Sequence, residues 1–309
     1  MKHLSDFHAF VAQRSNPPPD VLFKYIAQDS ALKVLGSSAL LWRSPLTFND
    51  PFDCHWDPFW PLDTEEAART DRELHRRALL DHQFWSNSGD KKLKAAFRRE
   101  RRRIKNLPEE KRAAAVESAL DQILDSRDRA SSFRDQLHDI RKRMRLLCLS
   151  EAPASLLMLS HYAENNTGAV LSLSRQRLEE AWKVPVYPVR YMDSPPTTID
   201  TNRILADILL RENPSTQIED LDAWTLTKHS DWKYEQEWRF VTLQPHGVKA
   251  ETSLVPFPGD ALLGVTFGCG APADFVSAAS KLSHGLNRHC QLFRFVRDRE
   301  RFAVNAVAL

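Results

Sequence analysis

The sequence predicts a mixed α+β body interrupted by a basic, all-helical insertion. Three observations predict it. Short β-branched and aromatic runs alternate with helical patterns at both ends of the chain. Between them, residues 63–145 are rich in Ala, Leu, Glu, Lys and Arg and hold one proline, Pro108, and one glycine, Gly89. Charge follows the same division: Asp90 to Arg145 carries 18 Lys+Arg against 10 Asp+Glu, in a chain whose net charge is only +2. The organisation expected is an N-terminal helix and proline linker over residues 1–19, a body over 20–62 and 146–309, and the insertion over 63–145.

Each element has a local reason. Leu4–Gln13 reads as a short helix ended by Asn16-Pro17-Pro18-Pro19, which cannot continue it. Val21–Ile26 is short, β-branched and aromatic, hence a strand. Ser30 or Asp29 can cap a helix through Leu35, with Gly36 as its stop. Ala39–Ser44 is a second strand, ended by Pro45. In the insertion, apolar residues from Leu74 to Ile140 recur at helical spacing, giving three or four helices with breaks near Asn87–Gly89, Pro108 and Ser131. Pro108-Glu109-Glu110 suits a helix start, because proline and acids favour the first turn.

Beyond Arg145 the pattern returns to strands and helices. Leu146–Ser150, Gly168–Leu173, Val184–Tyr191, Trp238–Leu243, Leu262–Gly268 and Cys290–Val296 read as strands. Ala154–Asn165, Asn202–Glu212, Ile218–His229 and Ala273–Leu286 read as helices.

Composition excludes several classes. The 42% hydrophobic and 27% charged fractions are those of a globular chain. No apolar run reaches 18 residues, so no membrane span is expected, and the first residues lack a secretory pattern. Cys54, Cys148, Cys269 and Cys290 are scattered and never paired as CxxC, so neither a zinc site nor a disulfide framework is expected, and the four are assigned to packing. The expected compartment is a reducing cytoplasm. Nine glycines form no phosphate-binding loop.

Four islands place polar groups beside aromatics at element edges: Leu22–Tyr25, Phe48–Asp53, Met158–Ala163 and Tyr234–Arg239. Sites on rigid scaffolds gather at such edges. Their order and spacing over about residues 21–268 resemble the bacterial domain of unknown function 2971 family. In it an LFKY-like strand precedes FNDPFD, a Met-Trp-Ser-His-Tyr-Ala run, a nearby glycine and an acidic-x-acidic-Trp-Arg strand. Leu159 stands where that family usually has tryptophan, and Asn166 where it often has histidine. Lys228 and Trp232 also recur in the family.

A remoter resemblance is to the ADP-ribosyltransferase superfamily. It implies a mainly antiparallel split β core and NAD as co-substrate, with no metal. It also implies transfer of ADP-ribose to a macromolecular acceptor, as in a toxin or an anti-phage defence effector. The chemistry needs a carboxylate to stabilise a ribose oxocarbenium ion and a second acid for the acceptor. Glu235 and Glu237 would share one face of a strand beginning at Tyr234, because the side-chain period is two. Glu237 takes the ribose role and Glu235 the acceptor role. The same pair also fits a strand edge neutralised by Arg239. The superfamily's first strand presents arginine or histidine; here the residues are Lys24 and Tyr25, which can meet a pyrophosphate and a ring, or belong to a core edge with Lys24 turned outward. Asn49, Asp50 and Asp53 either build a turn or line the site. Ser160, His161 and Tyr162 are ligand contacts rather than a triad, because adjacent residues on a helix diverge. Lys24, Tyr25, Asn49, His161, Tyr162 and Glu237 are expected in one cleft.

Arg98, Arg99, Arg101, Arg102 and Arg103 can contact a nucleic-acid acceptor, or form a solvated helix face. Two other functions stay open: a non-catalytic nucleotide- or partner-binding module, and a magnesium-dependent nuclease using Asp50, Asp53, Glu235 and Glu237.

Overall fold

The structure, a computed structural model, describes residues 19–55, 65–80, 91–125, 138–195, 224–247 and 250–309. It divides into two compact units. The first comprises Met1–His55, Ile140–Ser194 and Thr225–Leu309; the second comprises Trp56–Asp139 and Pro195–Trp224. The expected N-terminal helix, the helix at Asn202–Glu212 and the breaks at Asn87–Gly89 and Ser131 lie outside the described residues.

The first unit is α+β and largely antiparallel. Its strands are β1 (Val21–Ile26), β2 (Ala39–Arg43), β3 (Met144–Ser150), β4 (Ala169–Ser174), β5 (Val186–Pro188), β6 (Arg190–Met192), β7 (Thr227–His229), β8 (Glu237–Leu243), β9 (Thr252–Pro256), β10 (Leu262–Phe267), β11 (Gln291–Arg297) and β12 (Val304–Ala308). The main sheet runs β12-β11-β10-β4-β1-β3-β2-β9, and β8 pairs with both β3 and β5. Among the described residues, only β10–β11 and the separate β6–β7 pair are parallel. Phe240, Leu171, Leu173, Leu22, Phe267 and Val265 are fully buried in its core. Burying such a side chain contributes roughly 1.5–3 kcal/mol.

Helix α1 (Gln28–Ser37) runs straight through Gly36, and Ser38 ends it in the left-handed region at φ 50°. Neither Ser30 nor Asp29 caps its start. The Glu164 carboxylate does so from another segment, accepting from the Gln28 amide at 3.0 Å. The expected strand at Val184–Tyr191 is two strands in two sheets, β5 and β6. The expected helix reaching His229 ends in strand β7. No strand begins at Tyr234. Ser230–Glu235 is a 3₁₀ turn, Gln236 is left-handed at φ 44°, and β8 starts at Glu237.

In the second unit, α2 (Glu65–Leu80), α3 (Lys91–Lys105) and α4 (Glu109–Asp125) meet around Leu79, Phe97, Ile104 and Leu120, with the break between α3 and α4 at Pro108. Arg72 holds Glu117 and Asp121, each at 2.7 Å. Arg101 is a structural residue: it donates to the carbonyls of Leu79 and Ala78 in the last turn of α2, at 2.6 and 2.8 Å.

Candidate functional site

Strand β1 and its neighbour β3, the loop after β2, helix α5 (Leu156–Tyr162), strand β7 and the turn into β8 surround one cavity of about 160 Å³. Its polar lining includes Lys24, Asn49, Tyr162, Lys228, Glu235 and Glu237, and its apolar walls include Phe23, Phe48, Leu149 and Met158.

The wall is built on ion pairs. Arg239, fully buried on β8, forks onto Asp53 at 2.7 and 2.6 Å and onto Glu237 at 2.7 and 3.0 Å. Its Nη1 also donates to the Thr225 carbonyl at 2.7 Å. Lys228 Nζ lies 2.6 Å from Glu235, 3.2 Å from Glu237 and 3.7 Å from Asp53. Three buried carboxylates therefore face two buried cations, the arrangement that burial of charge requires. Lys228 also sits 4.7 Å over the Trp232 ring.

Glu235 and Glu237 converge, but not through strand alternation. Left-handed Gln236 reverses the chain between the turn and β8, and Lys228 gathers both carboxylates. Their environments differ. Burial alone would raise Glu237, yet Arg239 and Lys228 outweigh it and hold its carboxyl well below the usual range. Glu235 is pushed up, by burial first and by repulsion from Glu237, with Lys228 opposing. Tyr162 donates to Glu235 at 2.6 Å, and its hydroxyl is held in the protonated form by burial and by that carboxylate. The two carboxyls of one pocket are thus pushed in opposite directions.

Lys24 and Tyr25 play different parts. Lys24 Nζ donates to the Cys148 carbonyl at 2.8 Å, and burial lowers its pKa. Tyr25 faces the pocket edge but uses its hydroxyl structurally. It donates to the Ala152 carbonyl at 2.8 Å and accepts from the Ser155 amide at 2.9 Å, fixing the start of α5.

The structure brings together Lys24, Tyr25, Asn49, Tyr162, Glu235 and Glu237 on the cavity lining. It does not bring Ser160 or His161 there. Ser160 is exposed, and the exposed His161 meets the Tyr234 hydroxyl at 3.0 Å. Asp50 is buried and holds the Phe52 amide at 2.9 Å, while Arg239 stands behind Glu237 and orients it. Arg98, Arg99, Arg102 and Arg103 are exposed on α3 in the second unit. Tyr191, which the islands did not include, accepts from the Glu237 amide at 2.8 Å. Lys228, inside the helix expected over Ile218–His229, lies on β7 and is the central cation; its recurrence in the resembled family was the available signal. Among the described residues, no cluster of three or more His, Cys, Asp or Glu is disposed to hold a metal. Lys228 stands between the carboxylates that would be such ligands.

Met158, Tyr162, Lys228, Glu235, Glu237 and Arg239 all fall in one span of sequence. Residues 158–240 match the model of the family described as Protein of unknown function (DUF2971). The DUF2971 match thus contains most of the ionic wall, whereas Lys24, Asn49 and Asp53 precede it. No curated protein and no solved structure matches the chain. No helix among the described residues is long and apolar enough to cross a membrane.

Proposed function

We propose that the cavity is the catalytic pocket of an NAD-dependent ADP-ribosyltransferase that receives the nicotinamide–ribose end of its substrate. The observation that carries this reading is the convergence of Lys24, Asn49, Tyr162, Glu235 and Glu237 from separate segments onto one lining. A cavity of about 160 Å³ is close to the size that admits a single aromatic ring. It suits a nicotinamide ring and leaves the adenylate outside.

The reaction breaks the bond between ribose C1′ and the pyridinium nitrogen. The bonding pair leaves with nicotinamide, and positive charge develops on the ribose. Glu237, fixed and ionised, supplies the nearby negative charge. The acceptor then bonds to C1′ and gives up its proton. Glu235, with its raised pKa, is the carboxylate suited to take it. The roles expected from sequence therefore stand as a proposal with a physical basis for their difference. Phe23, Phe48 and Met158 limit water, which would compete with the acceptor.

One observation favours a second reading, a binding module without catalysis. Both oxygens of Glu237 already serve Arg239 and Lys228, which reduces the charge it can offer. Incubation with NAD labelled in its adenylate, beside separate protein, RNA and DNA pools, separates the two. Label entering one pool, and lost in Glu235→Gln, supports the transferase. NAD binding without turnover supports the module.

A further inference from the structure

A second cleft, of about 570 Å³, lies in the same unit beside the turn joining β11 to β12. Helix α5 separates the two hollows: Met158 and Tyr162 line the first, whereas Leu156 at its start and Asn165–Asn166 beyond its end line the second. Three exposed arginines, Arg297, Arg299 and Arg301, alternate along the turn. None has a side-chain partner among the described residues. Phe302 next to them is fully exposed. A wholly solvated phenyl ring is an uncommon choice for the tip of a polar turn.

The turn holds its shape through Asp298. Its carboxylate accepts from the amides of Glu300 at 2.8 Å and Arg301 at 3.0 Å, and from the Asn305 side chain at 3.0 Å. The Asp298 amide donates to the Ala303 carbonyl at 3.0 Å. The Asp298 carboxylate is thus engaged in folding the turn, and the guanidinium groups are left for solvent or a ligand. The opposite wall is backbone and amide: Asn165 and Asn166 are both left-handed, and the Asn166 carbonyl is held by the Gly270 amide at 3.0 Å.

Guanidinium forks beside an open aromatic face suit one ligand chemistry, a phosphate attached to a flat base. We infer that this cleft binds a phosphorylated nucleoside, with the base stacked on Phe302 and the phosphate held by the arginines. The inference does not rest on the reading of the first pocket. Glu300, also exposed on the cleft, opposes an anionic ligand and provides a signed test.

The test is fluorescence anisotropy of the full chain with a labelled single-stranded thymidine pentanucleotide, with unlabelled ADP as competitor. Phe302→Ala should weaken binding by roughly tenfold, the loss of one stacked base. Arg299→Ala should weaken it and reduce the log–log salt slope by about 0.7. Glu300→Gln should tighten it, which loss of structure would not do. Glu235→Gln, in the first pocket, should leave it unchanged. Competition by ADP at matching concentration identifies a free nucleotide as the ligand, and its failure identifies a strand; either supports the cleft. No measurable binding of either probe overturns the inference. So does binding that survives Phe302→Ala but is lost on Arg98→Ala with Arg102→Ala, which would place it on α3.

Discussion

Arg239 and Asp53 lie 186 positions apart and form a two-pronged ion pair, 2.7 and 2.6 Å long, with both side chains buried. The pair ties the end of the Asn49–Asp53 loop to β8. The other edge of the same guanidinium grips Glu237. One residue therefore positions both the loop that carries Asn49 and the carboxylate proposed to face the ribose.

Breaking this pair from one side should be costly. Arg239→Met leaves Asp53 and Glu237 buried with only Lys228 beside them. The expected loss is about 3–5 kcal/mol of unfolding free energy, measured by urea denaturation. Arg239→Met combined with Asp53→Leu should cost less than the two single changes added together, because the double change leaves no orphaned Asp53 charge.

Tyr25→Phe isolates a positioning role. The ring stays, but the Ala152 carbonyl and the Ser155 amide lose their shared partner. A loss of about 1–3 kcal/mol is expected for buried polar groups left unmade. Any loss of NAD turnover should follow the melting temperature, since the hydroxyl holds the start of α5 rather than substrate.

The two glutamates predict opposite acid behaviour. Glu237 has a depressed folded pKa, so its stabilisation is present above the unfolded value near 4.5 and is lost as pH falls below it. Glu235 has a raised folded pKa, so its contribution is greatest in acid and declines as pH rises through that value. Glu237→Gln should flatten the acid loss of stability, and Glu235→Gln should steepen it. Melting temperatures between pH 3 and 7 would show both; equal slopes in the two variants would contradict the assignment.

Gly168→Ala should disrupt the body. A Cβ there would collide with the Ile26 carbonyl and crowd that of Ala163, both of them backbone atoms that cannot swing aside. Gly36→Ala is the control, since a Cβ there meets nothing. The first variant should lower expression and melting temperature sharply. The second should match the parent or exceed it, because alanine favours a helix.

The elements carried by local pattern were legible. Val21–Ile26 and Ala273–Leu286 form where β-branched alternation and amphipathic spacing place them. What was not legible depended on distant partners. The cap of α1 comes from Glu164, so neither Ser30 nor Asp29 was needed. The convergence of Glu235 with Glu237 depends on left-handed Gln236 and on Lys228, and a strand-period rule cannot foresee either. β9 and β12 are edge strands with no fully buried residue, so neither carries a regular apolar–polar alternation to read. In the site, the pocket-lining residues came from motifs rich in aromatics and charge. Asp50 takes the turn-building alternative that the sequence offered, whereas the structural use of the Tyr25 hydroxyl emerged only from its hydrogen bonds.

The most direct test is nicotinamide release from NAD by the purified full chain, compared with Glu235→Gln, Glu237→Gln and Tyr162→Phe. The account predicts release by the parent in the presence of acceptor, loss of at least tenfold in both glutamate variants, and a smaller loss in Tyr162→Phe. No release with any acceptor pool, together with no change in melting temperature on adding NAD, would contradict it.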